Sequence, residues 1–268
     1  MSLYQIEAGT AQHIGDRARQ NDRTALFGGA RAPGYMMAVL ADGISGGSLA
    51  SEQALHTSKQ LFDEFSAGDV PDLQLVADLL RAIIDEVHTI IKMNPIAAHS
   101  EPQTTLVLLV LTPAGQAIWA HVGDSRLYLF SNSQCALRTS DATYVEHLIH
   151  SDKLAPAAAR KHRHSKLLNN SVGGHLKQPV LCIGTREDLQ AGDAFLLCSD
   201  GLWQFFTDAE LAAVIAKNTP RQAAEMLINK ARERAAGRGD NCSMAIVKLV
   251  KPRAAAPAYT VQKMGSAV

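Results

Sequence analysis

The sequence predicts an α+β domain in which antiparallel sheets are layered with helices, and three observations carry that expectation. Residues 104–111, 116–122 and 125–130 are apolar, strand-like runs in close succession. The turns between them, at Pro113-Ala114-Gly115 and Gly123-Asp124, are too short for the crossover that parallel strands need, so the runs pair antiparallel. Helical patterns come in adjacent pairs, 48–65 with 73–92 and 208–217 with 221–234, rather than alternating strictly with strands. Finally, 47% of the 268 residues are hydrophobic, enough for a substantial core.

Taken in order, residues 4–13 open the chain as a strand and a polar loop follows. Residues 35–41 form an apolar run too short for a helix and closed by Asp42-Gly43, which reads as a buried strand ending in a turn. The 73–92 helix carries Leu75, Leu79, Ile83 and Val87 at four-residue spacing, an apolar stripe for one face of a sheet. The mixed polar stretch 140–174 reads as helix and loop. Strands at 180–183, 194–198 and 243–249, with the second helix pair, complete one domain over residues 1–250. The remainder, 251–268, with its Ala254-Ala255-Ala256-Pro257 and little apolar pattern, is expected to be a mobile C-terminal tail.

Lys plus Arg equals Asp plus Glu at 26 each, so no global field draws the chain to nucleic acid or an anionic membrane. Any acidic ligand must be held locally. The first residues lack a basic segment followed by an apolar one, and no run approaches the length of a membrane span, so the expectation is a cytoplasmic protein; a monomer is expected as well. The four cysteines are widely spaced with no Cys-x-x-Cys, which suits a reducing compartment and core filling rather than a zinc knuckle.

Four segments share one design, an aspartate beside Gly or Asn at a strand edge: Asp42-Gly43, Gly123-Asp124, Asp200-Gly201 and Asp240-Asn241. Singly, such pairs signal turns. Together they offer rigidly held carboxylates to hard cations such as Mg²⁺ or Mn²⁺, and a glycine lets its own carbonyl approach the same ion. Asp200 follows the apolar run 195–198 just as Asp42 follows 37–41. Arg17, in Gly15-Asp16-Arg17-Ala18-Arg19-Gln20-Asn21-Asp22, supplies a guanidinium able to clamp two phosphate oxygens.

These residues carry a resemblance. Arg17-x-x-Gln20-Asn21-Asp22, Asp42-Gly43-Ile44-Ser45-Gly46-Gly47, Thr104-Thr105-Leu106, Gly123-Asp124-Ser125-Arg126, Ser199-Asp200-Gly201-Leu202-Trp203 and Gly239-Asp240-Asn241 occur in that order. Together they resemble the metal-dependent serine/threonine protein phosphatases of the protein phosphatase 2C type, in particular small bacterial stand-alone members, over about residues 5–250. The resemblance implies a four-layer α-β-β-α sandwich with two central antiparallel sheets and two Mn²⁺ or Mg²⁺ ions at one end. It implies that Asp42 bridges both ions, the Gly43 carbonyl binds one, and Asp200 and Asp240 hold the other. Asp22 would act close to the metals through water, Arg17 would bind the substrate phosphate, and Asp124 would belong to a looser third metal site. The implied reaction is hydrolysis of phosphoserine and phosphothreonine monoesters by a metal-activated water, opposing a bacterial serine/threonine kinase.

The sequence departs from the family pattern at Asn21, where many relatives have Glu, at Gln204, where an acidic residue is common, and at Ala142, where bacterial relatives often carry His. Gln204 weakens the expected third site, since a neutral amide is a poorer ligand for Mg²⁺ than a carboxylate. Ile44 stands where some eukaryotic relatives have a proposed general-acid His, so no protein general acid is named. Other phosphatase chemistries lack their motifs: no Cys is followed six positions later by Arg, and there is no Asp-x-Asp. His162-x-His164, inside the basic stretch 160–166, reads as a solvated, substrate-guiding patch rather than a metal pair. The rival of another class is a catalytically silent phosphoprotein-binding module of the same fold. Its signature would be lost metal ligands, and Asp42, Asp200 and Asp240 are all present.

Overall fold

The computed structural model describes residues 4–68, 70–93, 101–141, 170–174 and 178–252. The 160–166 patch, Ala142 and nearly all of the expected tail lie outside the described residues.

Twelve strands and five helices are present among them. One sheet contains β1 (Gln5–His13), β8 (Arg126–Ser131), β9 (Gln134–Arg138), β11 (Ala194–Cys198) and β12 (Cys242–Val250), in the order β1-β12-β11-β8-β9. The other contains β2 (Arg23–Gly28), β3 (Met36–Ala41), β6 (Leu106–Leu111), β7 (Ala117–Val122) and β10 (Cys182–Arg186), in the order β10-β7-β6-β3-β2. All the pairings are antiparallel. A small third sheet joins β4 (Gly43–Ser45) to β5 (Gln103–Thr104).

The layering follows from strand periodicity. Because successive side chains leave a strand on opposite faces, a strand between two apolar layers must be apolar throughout. In β3, Ala38 and Leu40 join the layer between the sheets, while Met37, Val39 and Ala41 face the other way, onto helices α1 (Leu49–Glu64) and α2 (Leu73–Met93). In β12, Ala245, Val247 and Leu249 enter the same inter-sheet layer. Met244 and Ile246 pack outward with Leu211, Ile215, Ala223 and Leu227. Those partners belong to α4 (Asp208–Lys217) and α5 (Pro220–Ala235), which follow the short helix α3 (Asp200–Trp203). Three apolar layers thus separate four layers of secondary structure, the expected α-β-β-α sandwich.

The helices form for local reasons as well. In α2 the buried Val76, Leu80, Ile83, Ile84, Val87 and Ile91 fall at helical spacing on one face; of the expected stripe Ile83 and Val87 lie on it, whereas Leu79 is half-buried and Leu75 exposed, because the buried face starts one residue later. Burying each such side chain contributes about 1.5–3 kcal/mol before entropy is counted. Thr207 with Glu210, and Thr219 with Gln222, close capping boxes at the starts of α4 and α5, and Pro220 follows the second cap.

Three local expectations differ from the structure. The polar loop after β1 contains β2, whose half-buried residues pair with β3 and lack the apolar alternation that marks a strand. Strand β9, with its exposed and half-buried residues at the sheet edge, was likewise not expected. Asp42-Gly43 does not close a turn: the chain runs on into β4, because Thr104 and Thr105 supply partners for the Asp42 backbone.

Candidate active site

The strand registers explain why distant aspartates meet. Asp22 immediately precedes β2 and Asp42 immediately follows β3, and the pairing Arg23↔Ala41 sets the two side by side. Cys198↔Arg126 places Asp200, two residues past β11, beside Asp124, two residues before β8. His13↔Cys242 lays the loop after β1, with Arg17, against the loop before β12, with Asp240. All these ends lie on one edge of the sandwich.

Between them is a cleft of about 470 Å³ lined by Arg17, Asn21, Asp42, Gly43, Asp124, Asp200 and Asp240, among others. Asp22 is the exception among the expected residues. It is fully buried, with its carboxyl against that of Asp42 rather than on the cleft wall. A larger groove of about 820 Å³ lies at the far end of β12 and holds none of these residues. Two of its ionic groups are engaged within the fold: Asp193 accepts from Ser131, and Lys248 donates to the carbonyls of Ile215 and Asn218.

Close backbone packing accounts for the glycines beside the aspartates. A Cβ at Gly201 would lie 2.0 Å from the Asn241 carbonyl oxygen, and one at Gly43 would lie 2.9 Å from the Asn21 carbonyl oxygen. The Asp42 backbone is held on both sides: its N–H donates to Thr105 Oγ1 at 3.1 Å, and its carbonyl accepts from Thr105 N–H and Thr104 Oγ1 at 2.9 and 2.8 Å. Thr105 Oγ1 also meets Ser125 Oγ at 2.7 Å, next to Asp124.

Two residues that stand in the quoted motifs without an assigned role organise the site. Asn241 accepts from Asn21 N–H and donates to the carbonyls of Ile14 and Arg19, stapling the Arg17 loop to β12. Ser199 donates to Asp22 Oδ2 at 2.8 Å and accepts from Ser243 N–H. Both lie next to a singled-out aspartate, the one signal that pointed to them.

The electrostatics are those of like charges crowded together. Burial pushes the Asp42 carboxyl well up, and the negative neighbours Asp22, Asp200 and Asp124 push it further. Burial also raises Asp22, against the lowering effect of hydrogen bonds from Ser199 and Ser243. Asp124 is pushed up to about 7, first by burial and then by Asp200 and Asp141. Arg17 does not stand free as a clamp: Nη2 donates to Asp240 Oδ2 at 2.5 Å, in an exposed pair.

These residues fit a divalent-cation site. The donors are hard oxygens, the charge is in excess, and buried Asp22 Oδ1 and Asn21 Oδ1 have no hydrogen-bond partner. Among the described residues no three acidic or imidazole side chains already close round one point. Gln204 is exposed at the end of α3 and is not part of the cleft wall, so it bears less directly on the site than its position in the sequence suggests.

The chain belongs to the protein phosphatase 2C family, whose model matches residues 9–230. Its curated relatives are bacterial protein phosphatases. Over 235 residues it is 28% identical to the serine/threonine protein phosphatase PstP of Mycobacterium tuberculosis, covering 87% of this chain and 43% of that protein, so it spans less than half of that relative's length. To the protein phosphatase PhpP of Streptococcus pneumoniae it is 28% identical over 221 residues, 81% of this chain and 87% of that one. The serine/threonine phosphatase of S. agalactiae superposes with a TM-score of 0.81 at 25% identity, covering 92% of this chain and 100% of the other. The PstP catalytic domain in complex with two manganese ions superposes with a TM-score of 0.70 at 26% identity, covering 92% and 99%.

Proposed function

We propose that this chain is a protein serine/threonine phosphatase that hydrolyses phosphoserine and phosphothreonine monoesters at a site for two Mn²⁺ or Mg²⁺ ions, with residues 1–250 as the catalytic unit. The observation that carries the reading is the convergence of Asp42, Asp124, Asp200, Asp240 and Arg17 on one cleft. Family membership and the manganese complex of PstP support it.

In this reading Asp42 would be held in common by the two ions, the Gly43 carbonyl would serve one, and Asp200 and Asp240 would hold the other. Asp124 would serve an accessory third site. When bound, such ions lower the pKa of water and neutralise charge on a phosphoryl group. Asp22 sits behind Asp42 and orients it while adding negative charge. Arg17, anchored through Nη2 to Asp240, has further N–H groups to turn toward phosphoryl oxygens, and that anchor sets its direction. The Thr104-Thr105 hydrogen bonds keep Asp42 from moving as charge in the cleft changes.

The substrate in this reading is a phosphorylated bacterial protein, in line with the names of the relatives, and the reaction would oppose a serine/threonine kinase. We further propose a cytoplasmic monomer; no helix among the described residues is long and apolar enough to cross a membrane.

Hydrolysis of a chromogenic phosphate monoester tests the reading. Turnover is expected with Mn²⁺ and is expected to vanish with chelator; well-folded protein without metal-dependent turnover would refute the enzyme assignment.

A further inference from the structure

Behind Asp124 lies a group of side chains that the proposed reaction does not use. The Trp203 indole N–H donates to the Asp124 main-chain carbonyl at 3.0 Å. The guanidinium of Arg126 lies over the Trp203 ring, 3.4 Å from its centroid. Arg126 is itself clamped: Nε and Nη2 each donate to a different Asp141 oxygen at 2.6 Å, and Nη1 donates to Tyr128 Oη at 3.1 Å. Arg126 and Asp141 side chains are only 13% and 9% exposed, so this bidentate pair is largely withdrawn from solvent, unlike the surface ion pairs elsewhere on the molecule.

These contacts form a chain of rigid, planar groups, from the end of β9 across β8 and α3 to the cleft. Asp124 sits in the two-residue connection between β7 and Ser125, where the Trp203 bond fixes its main chain and its carboxyl faces the cleft. We infer that Arg126 and Trp203 are positioning residues that hold the Asp124 carboxylate on the cleft wall, with Asp141 orienting Arg126. The inference rests on the phosphatase reading for its functional meaning and on the hydrogen-bond geometry for its mechanism. Guanidinium planarity is essential to both the fork and the stack, so lysine is no substitute for Arg126.

The test compares the full chain with Trp203→Phe, which keeps the aromatic face and deletes only the donor, and with Arg126→Lys. Asp124→Ala and the double variant Trp203→Phe/Asp124→Ala complete a cycle. Two readouts are taken: Mn²⁺ binding by calorimetric titration, and kcat with KM for a phosphate monoester. Trp203→Phe is expected to weaken the Asp124-dependent Mn²⁺ binding and lower kcat about fivefold, the size of one lost hydrogen bond, with KM little changed. Arg126→Lys is expected to lose more. In the Asp124→Ala background, Trp203→Phe is expected to add nothing further.

Full additivity in the cycle would mean that Trp203 acts on the fold alone and would overturn the inference, as would wild-type Mn²⁺ binding by Trp203→Phe. Absence of turnover in the parent chain would defeat the phosphatase reading instead; the Mn²⁺ titration would still decide the positioning role.

Discussion

At the scale of single residues, the site aspartates stand in unequal positions. Asp42 lies where two strands and the Thr104-Thr105 pair converge, so its backbone is fixed on both sides beneath the cleft. Asp42→Ala is expected to abolish metal-dependent hydrolysis while circular dichroism stays native; near-normal turnover would remove Asp42 from the centre of the site. Asp200→Ala is expected to cost more turnover than Asp124→Ala, since Asp124 is the accessory carboxylate, and equal losses in kcat would contradict that ranking. Arg17→Ala is expected chiefly to raise KM. It also frees Asp240 from its ion pair with Arg17, so a rise in KM by about tenfold should come with kcat lowered less, about two- to threefold.

At the scale of elements, the glycines at strand ends decide how closely two segments approach. Gly201 opens α3 with its Cα against the Asn241 carbonyl, and an added Cβ would sit 2.0 Å away, with backbone rather than a flexible side chain in its path. Gly201→Ala is therefore expected to destabilise the fold by about 1–3 kcal/mol or more, as overpacking does. Gly28→Ala, at the end of β2 with nothing within 4 Å, is the control and is expected to be near neutral. Urea midpoints for the two variants check the contrast, and similar shifts would show that the α3 approach is not tight.

At the scale of the whole molecule, the acidic edge couples stability to pH. Asp124 has a folded value raised from 3.8 to about 7, and Asp42 and Asp22 are raised in the same direction. A carboxyl whose folded pKa exceeds its unfolded one binds its proton more tightly when folded. Its stabilising contribution is complete below about pH 4 and is lost as pH rises through the folded value. Chelated protein is therefore expected to lose thermal stability between about pH 4 and 7 from this cluster. Asp124→Asn should flatten that slope, and saturating Mn²⁺ should reverse it by stabilising the ionised carboxylates. Melting curves of chelated protein whose midpoint does not fall over this range would contradict the crowding of charge at the site.

Much of this was legible along the chain. The apolar runs at 104–111, 116–122 and 194–198 read as strands because both of their faces are buried, and the stripe of α2 read as a helix because one of its faces is. The aspartates beside Gly or Asn, in order with Arg17, already pointed to a phosphatase of this family. Strands β2 and β9 were not legible, since edge strands face water and their pairing depends on a neighbour rather than on their own pattern. The sequence by itself determined most of the elements, the chemistry of the donors and the family. Only the tertiary structure decided that Asp22 lies behind Asp42, that Asp240 pairs with Arg17, and that Trp203 reaches Asp124. Those relations come from strand register and backbone approach across tens to hundreds of residues, and no local pattern encodes such distances.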